Sequence, residues 1–468
     1  MSRLGARSLG SRLGAAAGSR LGAFTVPGGK MLVMGGSHGG SGVAWTVPRA
    51  SLPDAGNASL DEYRGSPVIQ GLTPDLISAG VNRQGPFFGG ITGSFSSRAF
   101  HVQQASAGFG SGGPHGAVAL PEVWASIRTE TDTNEPLTDN VNTRNSVLHP
   151  YRTKAGNGCG FTVILNGQDR DSRFLHSMMF CETFEADGTS QDPEVFWGDS
   201  ERFAESAVTI CESEPLVWAS AGVSGSVVTA QWANETNKGS FTPSSSAPDN
   251  LKATTERGGV CDGAFERKWG LQVFNLSAQG TRDSFGFYDG STTDSAALWL
   301  SRFTINPATI GEGVHEQGTT IREFGSEPTA PSSLSLGFNK FFVRRVVDGQ
   351  LVERIVAVAN GYGPTPAPIF PGPYNSNAIV LIIDPATHAL VHEYQTPVKS
   401  LPFTSGRVLV SSADIDAAGN IYFATYGSAS GNFTGDATLY CVSLQGDLVW
   451  SKSFGGSDTV VRSVMVDF

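Results

Sequence analysis

Charge is scarce in this chain of 468 residues: Asp, Glu, Lys and Arg together make up 16%. No apolar run reaches the roughly 18 residues that a membrane-spanning helix needs, so no span is expected. No long stretch keeps a 3.6-residue apolar period, so very little helix is expected. The five cysteines, at 159, 181, 211, 261 and 441, form no CxxC pair, which argues against a structural zinc site. Their odd number and wide spacing give no disulfide framework, and buried free thiols are expected. The first residues contain Arg but no unbroken apolar core, so they make a poor export signal.

Acidic residues are missing from the start of the chain: the first is Asp54. Before it stand Arg3, Arg7, Arg12, Arg20, Lys30 and Arg49, so with a formal total of −11 the remainder carries −17. Ser-Arg-Leu-Gly-Ala recurs at 2–6, 11–15 and 19–23. The Gly in every copy opposes a helix by about 1 kcal/mol relative to Ala. Residues 1–24 therefore read as a flexible basic arm. Its Arg3, Leu4, Arg7, Leu9, Arg12, Leu13, Arg20 and Leu21 are candidates for docking into a groove of a neighbouring subunit, ordering on assembly. A basic arm on an acidic body suits an acidic partner surface or another copy of the body, hence a homo-oligomer. The acidic body repels phosphates, so nucleic acid is not an expected partner.

Gly (58) and Pro (25) are plentiful, which suits many short strands and turns. The C-terminal quarter shows how they are used. Ser411–Thr425 and Thr438–Lys452 read as four short strands, with tight turns at Asp416–Asn420 and Gln445–Asp447. Such a unit has two apolar faces and needs neighbours stacked on both. Ile355–Tyr362 aligns with Ile421–Ser428, and Leu381–Tyr394 with Leu439–Lys452, placing His392 where Trp450 stands. The Pro-rich loop Pro364–Pro373 absorbs the difference in spacing. These two units resemble the repeat of quinoprotein-like β-propellers, in which an Asp-x-x-Gly-x-(Ile/Val)-Tyr turn precedes a Leu-Tyr strand and a Gly-x-(Leu/Ile)-x-Trp strand. The resemblance implies that Trp450 packs between blades. Lys30–Gly36, an apolar run ended by a double Gly, looks like the strand and Gly-Gly turn of a kelch blade.

The fold class expected is therefore all-β: a β-propeller of about six to seven four-stranded blades over residues 25–468. Stretches 49–86, 106–160 and 233–263, rich in Gly, Ser, Asn, Asp and Pro, read as long loop insertions. Val460–Phe468 repeats the start of a blade, as in Val410–Asp416, and then stops. What should follow, a turn and a strand, stands at 27–36. The C-terminal residues Val460, Val461, Val464 and Val466 are thus expected to pair with Leu32 and Val33 and close the ring.

No constellation for chemistry emerges. Gly35–Gly39 matches the G-x-S-x-G pattern around Ser37, but a second strand follows where that chemistry needs a helix. Pro27–Met31 lacks the first Gly and the Ser or Thr of a phosphate loop. The eight His have no metal spacing, although His38 and His115 could meet across a propeller face. Asp414 and Asp416 read as turn caps, since calcium needs several more oxygens. Quinone-dependent dehydrogenases carry adjacent cysteines that are missing here. No catalytic residue, cofactor or metal is expected.

The function expected is that of a non-enzymatic structural or attachment protein of a multi-subunit particle. Composition is similar to that of propeller-bearing tail proteins of tailed bacteriophages, which implies a virion component whose loops contact a host glycan or protein. One alternative is a secreted or surface bacterial propeller that binds glycan or protein. The other is a hydrolase or lyase with its site on the propeller face.

Overall fold

Among the described residues, seven antiparallel sheets follow one another along the chain. The first takes β1 (Met31–His38), β2 (Ser41–Pro48) and β3 (Asp61–Arg64). The second is β4 (Ile77–Asn82), β5 (Gly85–Ser94), β6 (Ser97–Ala105) and β7 (Glu122–Thr129). The third is β8 (Asn145–Arg152), β9 (Cys159–Gln168), β10 (Leu175–Phe184) and β11 (Glu194–Trp197). The fourth is β12 (Val208–Cys211), β13 (Val217–Ser224), β14 (Val227–Asn234) and β15 (Lys238–Phe241). The fifth is β16 (Val260–Arg267), β17 (Leu271–Gly280), β18 (Ala296–Ile305) and β19 (Gly313–Phe324). The sixth has β20 (Ser333–Ser335), β21 (Lys340–Val347), β22 (Gln350–Gly363), β23 (Tyr374–Asp384), β24 (Ala389–Gln395) and β25 (Lys399–Leu401). The seventh has β26 (Arg407–Ile415), β27 (Ile421–Ala429), β28 (Asn432–Phe433), β29 (Ala437–Val442) and β30 (Leu448–Phe454). The last strand, β31 (Thr459–Val466), returns to the first sheet and pairs with β1.

This computed structural model describes those strands and the turns at 39, 83–84, 158, 187–189, 349, 385–388, 396–397, 416, 418–420 and 443–447; its side chains are described chiefly in 32–46, 78–90, 355–358, 377–397, 408–427 and 437–466. Every described element is a strand, so the class is all-β. Strands β3 and β4 lie within 49–86, β7 and β8 within 106–160, and β15 and the start of β16 within 233–263. Those stretches were expected to be loops. Each of these strands stands at an edge of its sheet and pairs with a single neighbouring strand, a place where small polar residues are tolerated.

Neighbouring sheets, the third and fourth excepted, touch through their first strands. β4 lies against β1, β2 and β31; β8 lies against β4 and β5; β16 lies against β12, β13 and β14. β20 lies against β17 and β18, and β21 against β16. β26 lies against β22 and β23, and β31 against β26, β27 and β29. Two apolar layers fill the best-described part. Between the sixth and seventh sheets, Val356, Val358, Val380 and Ile382 meet Ile421, Phe423 and Tyr440. Between the seventh and first, Tyr422, Leu439, Cys441 and Trp450 meet Leu32, Met34, Trp45, Val464 and Val466. Both faces of the seventh sheet are thus buried at β27 and β29, as a strand such as β29, buried at every position, requires.

The double glycine of β1 is not a turn. Gly35 and Gly36 sit inside the strand, and the hairpin turn comes later, with Gly39 at φ +58°. Opposite them β31 carries a bulge: Gly35 faces Ser463, Gly36 faces Val461, and Arg462 is the extra residue. A Cβ on Gly36 would lie 1.8 Å from the Val460 carbonyl oxygen, so only glycine allows this approach.

Candidate functional site

The seam around β31 is where the described side chains are most densely organised. A strand at the edge of a sheet leaves backbone N–H groups without ladder partners, and a buried one must find another acceptor. Here the neighbouring sheet supplies it. Ser412 Oγ, on β26, accepts the Val464 N–H at 2.9 Å and donates to the Val464 carbonyl at 3.3 Å. Two residues on, Asp414 Oδ2 accepts the Val466 N–H at 2.9 Å. The device repeats on the other flank of β31. Ser463 Oγ accepts the Ala79 N–H at 2.7 Å, and Met465 Sδ accepts the Val81 N–H at 3.3 Å. The Val464 and Val466 backbones are thus tied to β26 and the Ser463 and Met465 side chains to β4.

A bulge makes Ser412 available. Val410 faces Thr425 and Ala413 faces Phe423, so Ser411 and Ser412 share one place in the ladder opposite Ala424. Ser411 Oγ mends that gap by accepting the Ala424 N–H at 2.9 Å. Ser412 is left free to turn toward β31.

The turn that follows β26 gathers the polar groups that the sequence had marked as caps. Asp416, 3% exposed, fills both its oxygens. Oδ1 accepts the N–H groups of Ala418 and Asn420, each at 2.9 Å. Oδ2 accepts Asn420 Nδ2 at 2.9 Å and the Tyr422 hydroxyl at 3.0 Å. Nothing in this arrangement is poised for chemistry. Burial raises the Tyr422 phenol, reinforced by Cys441 and Asp416. Burial also pushes the Cys441 thiol up to about 12, against a smaller lowering by the Tyr422 hydrogen bond. A thiol so placed stays protonated at neutral pH and is no nucleophile. The same cap closes the β4–β5 hairpin: Asn82 Oδ1 accepts the N–H groups of Gln84 at 2.9 Å and Gly85 at 3.2 Å. Asn82 Nδ2 in turn donates to Gln104 Oε1 at 2.7 Å.

The expected closure residues are placed as follows. Leu32 pairs with Val466 and Val33 with Met465; Val464 faces Met34, Val461 faces Gly36 and Val460 faces Ser37. Leu32, Val33, Val460, Val461, Val464 and Val466 are all buried. The docking candidates Arg3, Leu4, Arg7, Leu9, Arg12, Leu13, Arg20 and Leu21 lie outside the described residues, as does His115. Ser37 is buried within β1, between Gly42 and Val460, and a strand follows it, so no exposed nucleophile turn exists there. His38 Nδ1 is hydrogen-bonded to Thr459 Oγ1 at 2.9 Å. Cys159 and Cys441 are free and buried. Trp450 is buried and lies 6.1 Å from the Tyr422 ring, between the seventh and first sheets.

Ser411, Ser412, Asp414, Ser463 and Met465 were not anticipated as a set. The signal was present in the alignment of blade starts, where Ser412-Ala413-Asp414 corresponds to Ser463-Val464-Met465. Their common task is visible only once three sheets meet.

No protein-family model matches the sequence, and no curated protein sequence matches it. Among solved structures, the chain is similar to a single-residue mutant of the Synechocystis apocarotenoid oxygenase, with TM-score 0.44 and 9% identity over 94% of this chain and 92% of that one. A cobalt-substituted form of the same enzyme gives 0.41 and 10%, over 94% and 92%. The lignostilbene dioxygenase of Pseudomonas brassicacearum gives 0.40 and 10%, over 94% and 92%. These neighbours are oxygenases, not quinoproteins, kelch proteins or phage proteins. The expected kinship is corrected accordingly, because the repeat that suggested it is a general solution for stacking sheets rather than a family mark. The expectations of a non-enzymatic structural protein, a virion component and a phage tail protein are corrected with it. The hydrolase or lyase alternative shares only the enzymatic class with these neighbours. At 9 to 10% identity the likeness assigns no reaction to this chain. Among the described residues no group of three or more His, Cys, Asp or Glu is placed to hold a metal ion.

Proposed function

We propose that the chain is a seven-bladed β-propeller, closed into a ring when its C-terminal strand joins its N-terminal sheet, and that it is an enzyme whose site lies at one mouth of the ring. The observation that carries the ring is β31: one strand paired to β1 along its length, tied to β26 on one flank and to β4 on the other. The contacts of first strands between successive sheets, the third and fourth excepted, support the same reading. Closure removes the exposed edges that an open array of sheets would leave. In such a frame the loops between sheets gather at the two mouths, where function is carried. The described residues supply the frame.

The names of the neighbouring structures choose the assay. Oxygen consumption by the purified chain is measured with an apocarotenoid and with a lignostilbene, alongside elemental analysis for bound metal. Turnover of either substrate supports an oxygenase. The absence of uptake above the no-protein control with both, in a folded sample without bound metal, removes the enzymatic half of the reading. Electron microscopy tests the ring separately: a disc with a central channel is expected, and an open arc or two separate globules overturns it.

A further inference from the structure

We draw no further inference here: the strongest candidate, the bulged Arg462 of β31 with its buried Nε and its guanidinium 5.9 Å from the Tyr426 ring centre, is a single half-buried side chain beside which no second group among the described residues points to a ligand.

Discussion

Glycine at 419 and 446 and histidine at 388 do one job in successive hairpins. Gly419 (φ +89°) and Gly446 (φ +83°) each close a turn in which the first residue's carbonyl accepts an N–H at 3.0 Å. His388, at φ +58°, holds the position that Gly446 holds in the next unit, and its N–H donates to the Asp384 carbonyl at 2.9 Å. An L side chain in this conformation costs about 1–2 kcal/mol. Gly419→Ala adds that backbone cost, and its Cβ would stand 2.9 Å from Leu444 Cδ1. Denaturant unfolding should show it less stable by about 2 kcal/mol with an unchanged m-value. Asp416→Ala leaves the Tyr422 hydroxyl and three nitrogen donors without their acceptor. A loss of about 2–3 kcal/mol is expected in the same measurement, and a loss under about 0.5 kcal/mol would refute the capping role. Both turns were legible in sequence, because Asp and Gly there have local reasons to be chosen. Gly36 was misread. Its need for a missing Cβ comes from Val460, more than four hundred residues away, and no local pattern reports that.

At the scale of elements, β31 is the keystone. It contributes apolar side chains to the seventh-sheet layer and acceptor side chains to β4. Removing residues 459–468 would uncover the β1 edge, take the Val464 partner from Ser412 and the Val466 N–H from Asp414 Oδ2, and deprive the Ala79 and Val81 N–H groups of their acceptors. The truncated chain is expected to aggregate on expression, and a monomeric truncate with unchanged thermal unfolding would sink the keystone role. Ser412→Ala is the milder probe. It should cost about 1–2 kcal/mol, and hydrogen exchange should quicken at Val464 while the β29–β30 hairpin stays protected. The pairing of β31 with β1 was foreshadowed by the half-blade at the end of the sequence. The serine bulge was not, since Ser411 and Ser412 look like ordinary residues of a blade's first strand until β27 and β31 flank them.

At the scale of the whole molecule, thiols and phenols withdrawn from water among the described residues oppose stability in alkali. Burial raises the thiols of Cys159 and Cys441 and the phenols of Tyr394, Tyr422, Tyr426 and Tyr440. In the unfolded chain these groups lose protons near about 8.5 and about 10, whereas the folded state keeps them longer. Above those values the unfolded state binds fewer protons, so stability falls as pH rises. The contribution is complete below about pH 8 and declines toward pH 12; a midpoint that is flat from pH 8 to 11 would contradict it. Thiol reagents should reach Cys441 only after unfolding. Deleting residues 1–24 tests the arm we propose: the thermal midpoint should stay and the oligomeric state should change. An unchanged oligomer would dismiss docking to another copy.

What the amino acids settle alone is local: short strands, the turns at 416–420 and 443–447, and the absence of a helical period. These follow from backbone preferences and from apolar spacing within a few residues. The tertiary structure decided which edges meet, why Gly36 tolerates no Cβ, and why a serine or a methionine on one strand completes the backbone bonding of the next. Those requirements exist only where sheets distant in sequence come within hydrogen-bonding reach, because a buried N–H takes whichever acceptor the fold delivers.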